Sequence, residues 1–189
     1  MLGADDPLSE RPRRVIVAGT SGAGKTTLAS RIGQTLGIPH TEVDSLFHGP
    51  NWVPRDTFEA DVKRFTAQPE WVCEWQYGLI RPLLAERADL MVWLDLPRRT
   101  VMRQVIARTV RRRLRREPLW NGNVEGPFYT FFTDPDHIIR WAWKQHARTA
   151  EKVLSVHRRR PELSIVQLRS RAEAERWCTR LLRYQPDGL

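Results

Sequence analysis

The run Gly19-Thr20-Ser21-Gly22-Ala23-Gly24-Lys25-Thr26 has the spacing G-x-x-x-x-G-K-[ST] and stands between a short apolar stretch, Val15 to Ala18, and a helical stretch from Lys25 to Leu36. No other feature constrains the fold of the chain as much. Glycines at 19, 22 and 24 permit positive φ, so successive backbone N–H groups turn inward around an anion. The helix that opens at Lys25 adds the positive end of its dipole at the same point. The spacing predicts a phosphate cradle in which Gly19, Ser21, Gly22, Ala23, Gly24, Lys25, Thr26 and Thr27 meet a nucleotide. Lys25 is expected to reach the β- and γ-phosphates, and the Thr26 hydroxyl to ligate Mg²⁺.

Strand and helix signals alternate through the rest of the chain. Strand-sized runs fall at 15–18, 40–44, 70–74, 90–94 and 163–168, and helical patterns at 25–36, 56–67, 78–88, 98–113, 136–158 and 172–183. Five strands alternating with helices predict an α/β three-layer sandwich, a five-stranded parallel sheet covered on both faces. Pro82 suits the first turn of its helix rather than the middle. On the long helix Ile139, Trp143, Ala147, Ala150 and Leu154 form an apolar stripe. A chain of 189 residues without a long linker reads as a single domain over 14–184 behind a flexible polar leader over 1–13. The longest apolar run, LMVWL, is too short for a membrane span, and the leader has no apolar core of its own. Two cysteines, Cys73 and Cys178, make neither a disulfide framework nor a zinc set. The expectation is a cytoplasmic protein with no membrane partner.

Charge is concentrated in one place. Nine arginines and no acid lie between Arg98 and Arg116, and the remainder holds 22 basic against 22 acidic residues, so the net charge of +9 belongs to that segment. Arg108, Arg111, Arg112 and Arg115 share one helical face. Such a patch meets a phosphorylated ligand or a polyanion.

A phosphate-binding loop of this kind works with a carboxylate at the end of a neighbouring strand. Two acids compete for the role: Asp95, which ends the more apolar run LMVWLD, and Glu74, which ends WVCE.

The loop, the chain length and the arginines after the fourth strand resemble the adenylate kinase-like branch of small P-loop kinases. The likeness is closer to bacterial adenylate kinase-like or DNA topology modulation proteins. It rests on Asp44-Ser45-Leu46-Phe47 with Pro50 and Trp52, on Trp71-Val72, on Trp93-Leu94-Asp95-Leu96-Pro97-Arg98, and on Leu119-Trp120-Asn121-Gly122-Asn123. The resemblance implies strand order 2-3-1-4-5, an Arg-rich lid over about 108–135, and Mg²⁺–ATP-dependent phosphoryl transfer to a nucleotide or other small acceptor. It gives the metal-water role to Glu74, leaving Asp95 to cap the helix at Pro97. Asp44, expected at the end of the second strand, would orient an acceptor hydroxyl or assist the metal, with Phe47, His48 and Trp52 walling the pocket. Arg108 and Arg112 would close over the phosphates, and Arg169 would lie in the adenine loop. Where relatives read Asp-Gly-Asn-Tyr after the third strand, this chain reads Glu74-Trp75-Gln76-Tyr77. The surplus of arginine raises a second expectation, an ATP-controlled protein that binds nucleic acid non-specifically.

Overall fold

The computed structural model describes residues 1–115 and 138–184, apart from the side chains of 112–115 and 138–145. Its centre is β1 (Arg14–Gly19), in which Val15, Ile16, Val17 and Ala18 are all fully buried. A strand apolar on both faces belongs inside a parallel sheet. It pairs in parallel with β3 (Trp71–Glu74) on one side and β4 (Leu90–Leu94) on the other. Beyond these lie β2 (His40–Thr41), against β3, and β5 (Ser164–Leu168), against β4. The order is β2-β3-β1-β4-β5, as the resemblance implies.

Side chains alternate across the sheet. Val15 and Val17 face a layer built from α1 (Lys25–Leu36), α5 (Arg98–Arg115) and α7 (Arg171–Leu181). Ile16 and Ala18 face the opposite layer, built from α2 (Val43–Phe47), α3 (Phe58–Thr66), α4 (Arg81–Arg87) and α6 (Ile138–Arg159). Phe58 and Val62 are buried and anchor α3, and Pro82 sits in the first turn of α4 as expected. Cys73 is a buried core residue within β3. No helix of the described residues is long and apolar enough to cross a membrane.

Three expectations need correction. The stretch 40–44 is not one strand: β2 ends at Thr41, and Asp44 lies in the first turn of α2. The stripe on α6 holds only in part, because Ala150 packs against the core while Ala147 and Leu154 are exposed and Val153 and Val156 enter the core; the side chains of Ile139 and Trp143 lie outside the described residues. The leader over 1–13, expected to be flexible, is docked. Leu2 N–H donates to the Ile165 carbonyl (2.7 Å) and the Leu2 carbonyl accepts from Gln167 N–H (2.8 Å), so the chain runs parallel to β5. Ala4 enters the core, Leu8 packs against it, and the Tyr184 hydroxyl donates to the Leu8 carbonyl at 2.7 Å. Arg11 then ties Glu70 (2.5 Å) to the Leu36 carbonyl (2.7 Å), joining the approach to β3 to the end of α1. Backbone pairing does this work, so polar composition does not prevent it.

Deleting residues 1–8 should therefore destabilise the domain by roughly 2 kcal/mol, from the three lost hydrogen bonds and the lost Ala4 and Leu8 contacts. Urea unfolding of the full and truncated chains measures this difference; a truly flexible leader would leave the midpoint unchanged.

Candidate active site

The loop between β1 and α1 has the backbone its spacing predicts. Gly22 has φ 83° and Gly24, the N-cap of α1, has φ 98°. A Cβ on Gly24 would meet nothing within 4 Å, so the space above the helix N-terminus is open. A Cβ on Gly22 would stand 2.1 Å from Val105 Cγ2 of α5. The Gln104 amide, oriented to satisfy its neighbours, donates to the Gly22 carbonyl at 2.7 Å and accepts from Arg171. Thus α5 braces the loop directly.

Lys25 opens α1 with its Nζ 3.5 Å from the Thr20 carbonyl. Burial lowers its pKa to about 8; the Asp44 and Glu74 carboxylates oppose that change, and the Arg108 and Arg81 guanidiniums reinforce it. Four charged groups, from α2, α4, α5 and the end of β3, therefore act on Lys25 at the C-terminal edge of the sheet, where parallel α/β sheets place their ligands.

Glu74 is 0 % exposed. Its Oε2 accepts Val43 N–H at 3.1 Å and its Oε1 accepts from His40 Nε2 at 3.3 Å. Burial pushes this carboxyl upward, but the hydrogen bonds from His40 and Val43 N–H outweigh it and the group sits below its ordinary range. Accepting Val43 N–H also ends β2 and starts α2, which puts Asp44 within electrostatic range of Lys25. Asp44 Oδ1 accepts from Gln76 Nε2 (2.7 Å) and from the Tyr77 hydroxyl (2.5 Å). Burial, then the Asp44 charge, raises the Tyr77 phenol, so it stays protonated and donates. Its single proton being committed to Asp44, the contact of 3.1 Å with His48 Nε2 has the imidazole as donor. Burial lowers the His48 pKa against the pull of Asp44. Phe47 stacks on Tyr77 with centroids 4.1 Å apart, and Trp52 meets His48 edge-on at 5.0 Å. Phe47, His48 and Trp52 form a contiguous aromatic cluster. Tyr77, at φ 58°, is its centre.

The other expected residues separate. Asp95 Oδ2 accepts from Gln167 Nε2 at 2.7 Å. Arg108 is half-buried on α5 and acts on Lys25, whereas the Arg112 side chain and lid positions 116–135 lie outside the described residues. Arg169 is exposed: its N–H donates to Glu173 (2.8 Å) and its guanidinium to Gln167 (3.0 Å), within a capping arrangement closed by Ser170 and Glu173. Thr26 and Thr27 follow Lys25 on the first turn of α1, with Thr27 exposed.

The donor set fits a nucleotide and its metal. Loop N–H groups, the α1 N-terminus, Lys25 and Arg108 suit phosphates, and the Thr26 hydroxyl with the Asp44 and Glu74 carboxylates offers the hard oxygens Mg²⁺ takes. No cluster of three metal-binding side chains occurs among the described residues, so a metal here would keep water ligands and phosphate oxygens.

No family model matches the chain, and no curated protein does. Solved structures do. A shikimate kinase from Bacteroides thetaiotaomicron aligns over 91% of this chain and 97% of its own, with TM-score 0.50 and 16% identity. One from Aquifex aeolicus covers 90% and 94% at 0.49 and 12% identity, and a sugar kinase from a Janibacter species 91% and 93% at 0.48 and 19%. This chain has the P-loop kinase α/β fold.

Gly22→Ala should cost about 1–3 kcal/mol, since the methyl group meets Val105 at a φ that L residues rarely adopt. Adding Val105→Ala should relieve the steric part, and chemical denaturation of the single and double variants separates the two contributions.

The Lys25 pKa sets a pH dependence. Below pH 8 the ammonium is already formed and phosphate binding takes up no proton there. Above pH 8 binding must protonate Lys25, so the affinity for ATP should fall with rising pH, at most about tenfold per unit. Calorimetric titration of Lys25→Arg should give a flat profile over the same range.

Proposed function

We propose that this protein is a Mg²⁺–ATP-dependent kinase, adenylate kinase-like in its arrangement, that phosphorylates a nucleotide or another small acceptor. The observation that carries the reading is the phosphate-loop backbone, with Gly22 and Gly24 at positive φ and Lys25 opening α1, within electrostatic range of Asp44, Glu74 and Arg108. Mg²⁺–ATP supplies the activated phosphoryl group and a cation that spreads its charge. Gly19, Ser21, Gly22, Ala23, Gly24, Lys25, Thr26 and Thr27 hold the phosphates, and Lys25 and Arg108 stabilise negative charge on the group in transit. Thr26 holds the metal and Glu74 orders its water, while Arg169 borders the base. Asp44, fixed by Gln76 and Tyr77, aligns the acceptor hydroxyl; this is positioning first, because base catalysis adds little to phosphoryl transfer. The shikimate kinase that shares the fold supports a small-molecule acceptor.

A second reading concerns arginines that do not face the loop. Arg99, Arg103 and Arg111 are exposed along α5. They favour a non-specific contact with nucleic acid, of the topology-modulation kind, which counterion release would make strongly salt-dependent.

The kinase reading is tested with Lys25→Ala, Glu74→Gln and Asp95→Asn, assayed with Mg²⁺–ATP against nucleoside monophosphates, nucleosides and polyols. Lys25→Ala should lower turnover by about 10²-fold or more in a folded protein, and Glu74→Gln should weaken the Mg²⁺ dependence far more than Asp95→Asn. Full turnover in Lys25→Ala would refute the phosphate-loop assignment, and the reverse order of the two acids would move the metal role to Asp95.

A further inference from the structure

Gln104 lies on α5 one turn before Arg108, and its amide reaches out of the helix in two directions. The amide nitrogen donates to the Gly22 carbonyl at 2.7 Å. The amide oxygen accepts from Arg171 twice, at 3.1 Å from Nε and at 3.2 Å from a terminal nitrogen. Val105, the next residue and fully buried, fills the space beside the same glycine. Two consecutive residues of α5 are therefore fitted to one point of the phosphate loop.

That point is the one the loop is least able to fix for itself. Gly22 has φ 83° and Gly24 φ 98°, so the peptides around Ala23 lie between two residues with no side chain to restrict them. The Gly22 carbonyl and the Ala23 N–H belong to one planar peptide and point in opposite directions. Gln104 holds the carbonyl, and the Thr20 carbonyl accepts the N–H at 3.0 Å. The plane is pinned at both ends, and the presentation of the next N–H groups, those of Gly24 and Lys25, follows from it.

The other end of the amide leads to the turn between β5 and α7. Arg171 opens α7 directly after the Ser170 N-cap. Hydrogen bonds close that turn: Asp95 N–H donates to the Leu168 carbonyl at 2.8 Å, Arg169 N–H to the Glu173 carboxylate at 2.8 Å, and Glu173 N–H to the Ser170 hydroxyl at 3.1 Å. Arg171 itself is exposed, so its two hydrogen bonds add little to stability. What they fix is the distance from the turn to the loop. An amide suits this place because one end donates and the other accepts. A carboxylate would face the Gly22 carbonyl with no donor, and an ammonium would repel Arg171.

We infer that Gln104 is a positioning residue that ties the phosphate loop at Gly22 to the β5–α7 turn at Arg171, so that the phosphates and the base of a nucleotide meet two surfaces already set at one spacing. The inference rests on the proposed assignment of that turn to the base. Such preorganisation shows as affinity, because ordering two separate loops on binding would weaken it.

The test compares Mg²⁺–ATP with Mg²⁺–tripolyphosphate, which carries the phosphates without the base. Both are titrated calorimetrically into Gln104→Met, Arg171→Ala and the double variant. In Arg171→Ala the loop peptide is still held by Gln104. Any loss from the missing charge falls on both probes alike, so the ratio of the two affinities is read. That ratio should fall about 3–10-fold in Arg171→Ala, while tripolyphosphate weakens by no more than about twofold. Gln104→Met should weaken both probes, ATP by about tenfold or more, and the double variant should match its ratio, since Arg171 then has nothing to hold. Amide exchange at Ala23, followed by NMR in the unliganded protein, should quicken about tenfold in Gln104→Met and stay unchanged in Arg171→Ala. Both variants should melt within about 3 °C of the natural protein. An unchanged ratio in Arg171→Ala, additive effects in the double variant, unaltered Ala23 exchange, or a large fall in the Gln104→Met melting temperature would each overturn the inference. The two readings fail differently. The full binding pattern without transfer to any acceptor removes the kinase reading alone, and transfer by a protein whose ratio ignores both substitutions removes this inference alone.

Discussion

The acceptor half of the site hangs on one buried carboxylate. Glu74 ends β3 with no contact to solvent, and its hydrogen bonds to Val43 N–H and His40 join β3 to the start of α2 and to β2. A buried carboxylate left without such donors would cost several kcal/mol or take up a proton. Here the donors are backbone and imidazole, so the charge persists and directs the chain. It stops β2 at Thr41, turns the next residues into helix and puts Asp44 within electrostatic range of Lys25. The loop that follows Glu74 completes the arrangement, since Gln76 and Tyr77 grip Asp44 from the other side. Position and charge are therefore specified together.

The phosphate half is organised from the opposite layer. Val105 and Gln104 of α5 rest on Gly22, so the helix that carries Arg108 and the loop that carries Lys25 are one packed unit. Lys25, Arg81 and Arg108 outnumber Asp44 and Glu74 around this edge. The imbalance favours anions entering between the two halves, and burial, the largest cause, lowers the pKa of Lys25.

How much of this could be read from the sequence depended on whether side chains or backbone carried the signal. The loop from Gly19 to Thr26 was legible because only that spacing of glycines and lysine builds the cradle, and the alternation of β1 to β5 with helices followed from apolar runs. The strand order came by resemblance, since periodicity says nothing about neighbours. The segment 40–44 looked like a strand because the hydrogen bond that ends it comes from Glu74, thirty-one residues away from Val43. On α6 the adjacent apolar pair Val153 and Leu154 fits two phases of the helix, and packing against Leu163 and Ile165 of the same core chose Val153. Leu2 announces nothing, because its pairing with β5 uses only backbone groups.

The first residues of the chain also bear on how this sheet meets other molecules. A parallel sheet has two outer strands whose unpaired N–H and C=O groups invite a foreign strand to add on. On one side β2 is only two residues long, too short to template such pairing. On the other, Leu2 occupies the ladder groups of Ile165 and Gln167, and Asp5 is clasped by Arg176 and Arg180 of α7. Neither flank offers a long open ladder. The docked leader thus acts as a guard against edge-to-edge aggregation, a duty separate from any part it has in phosphate chemistry.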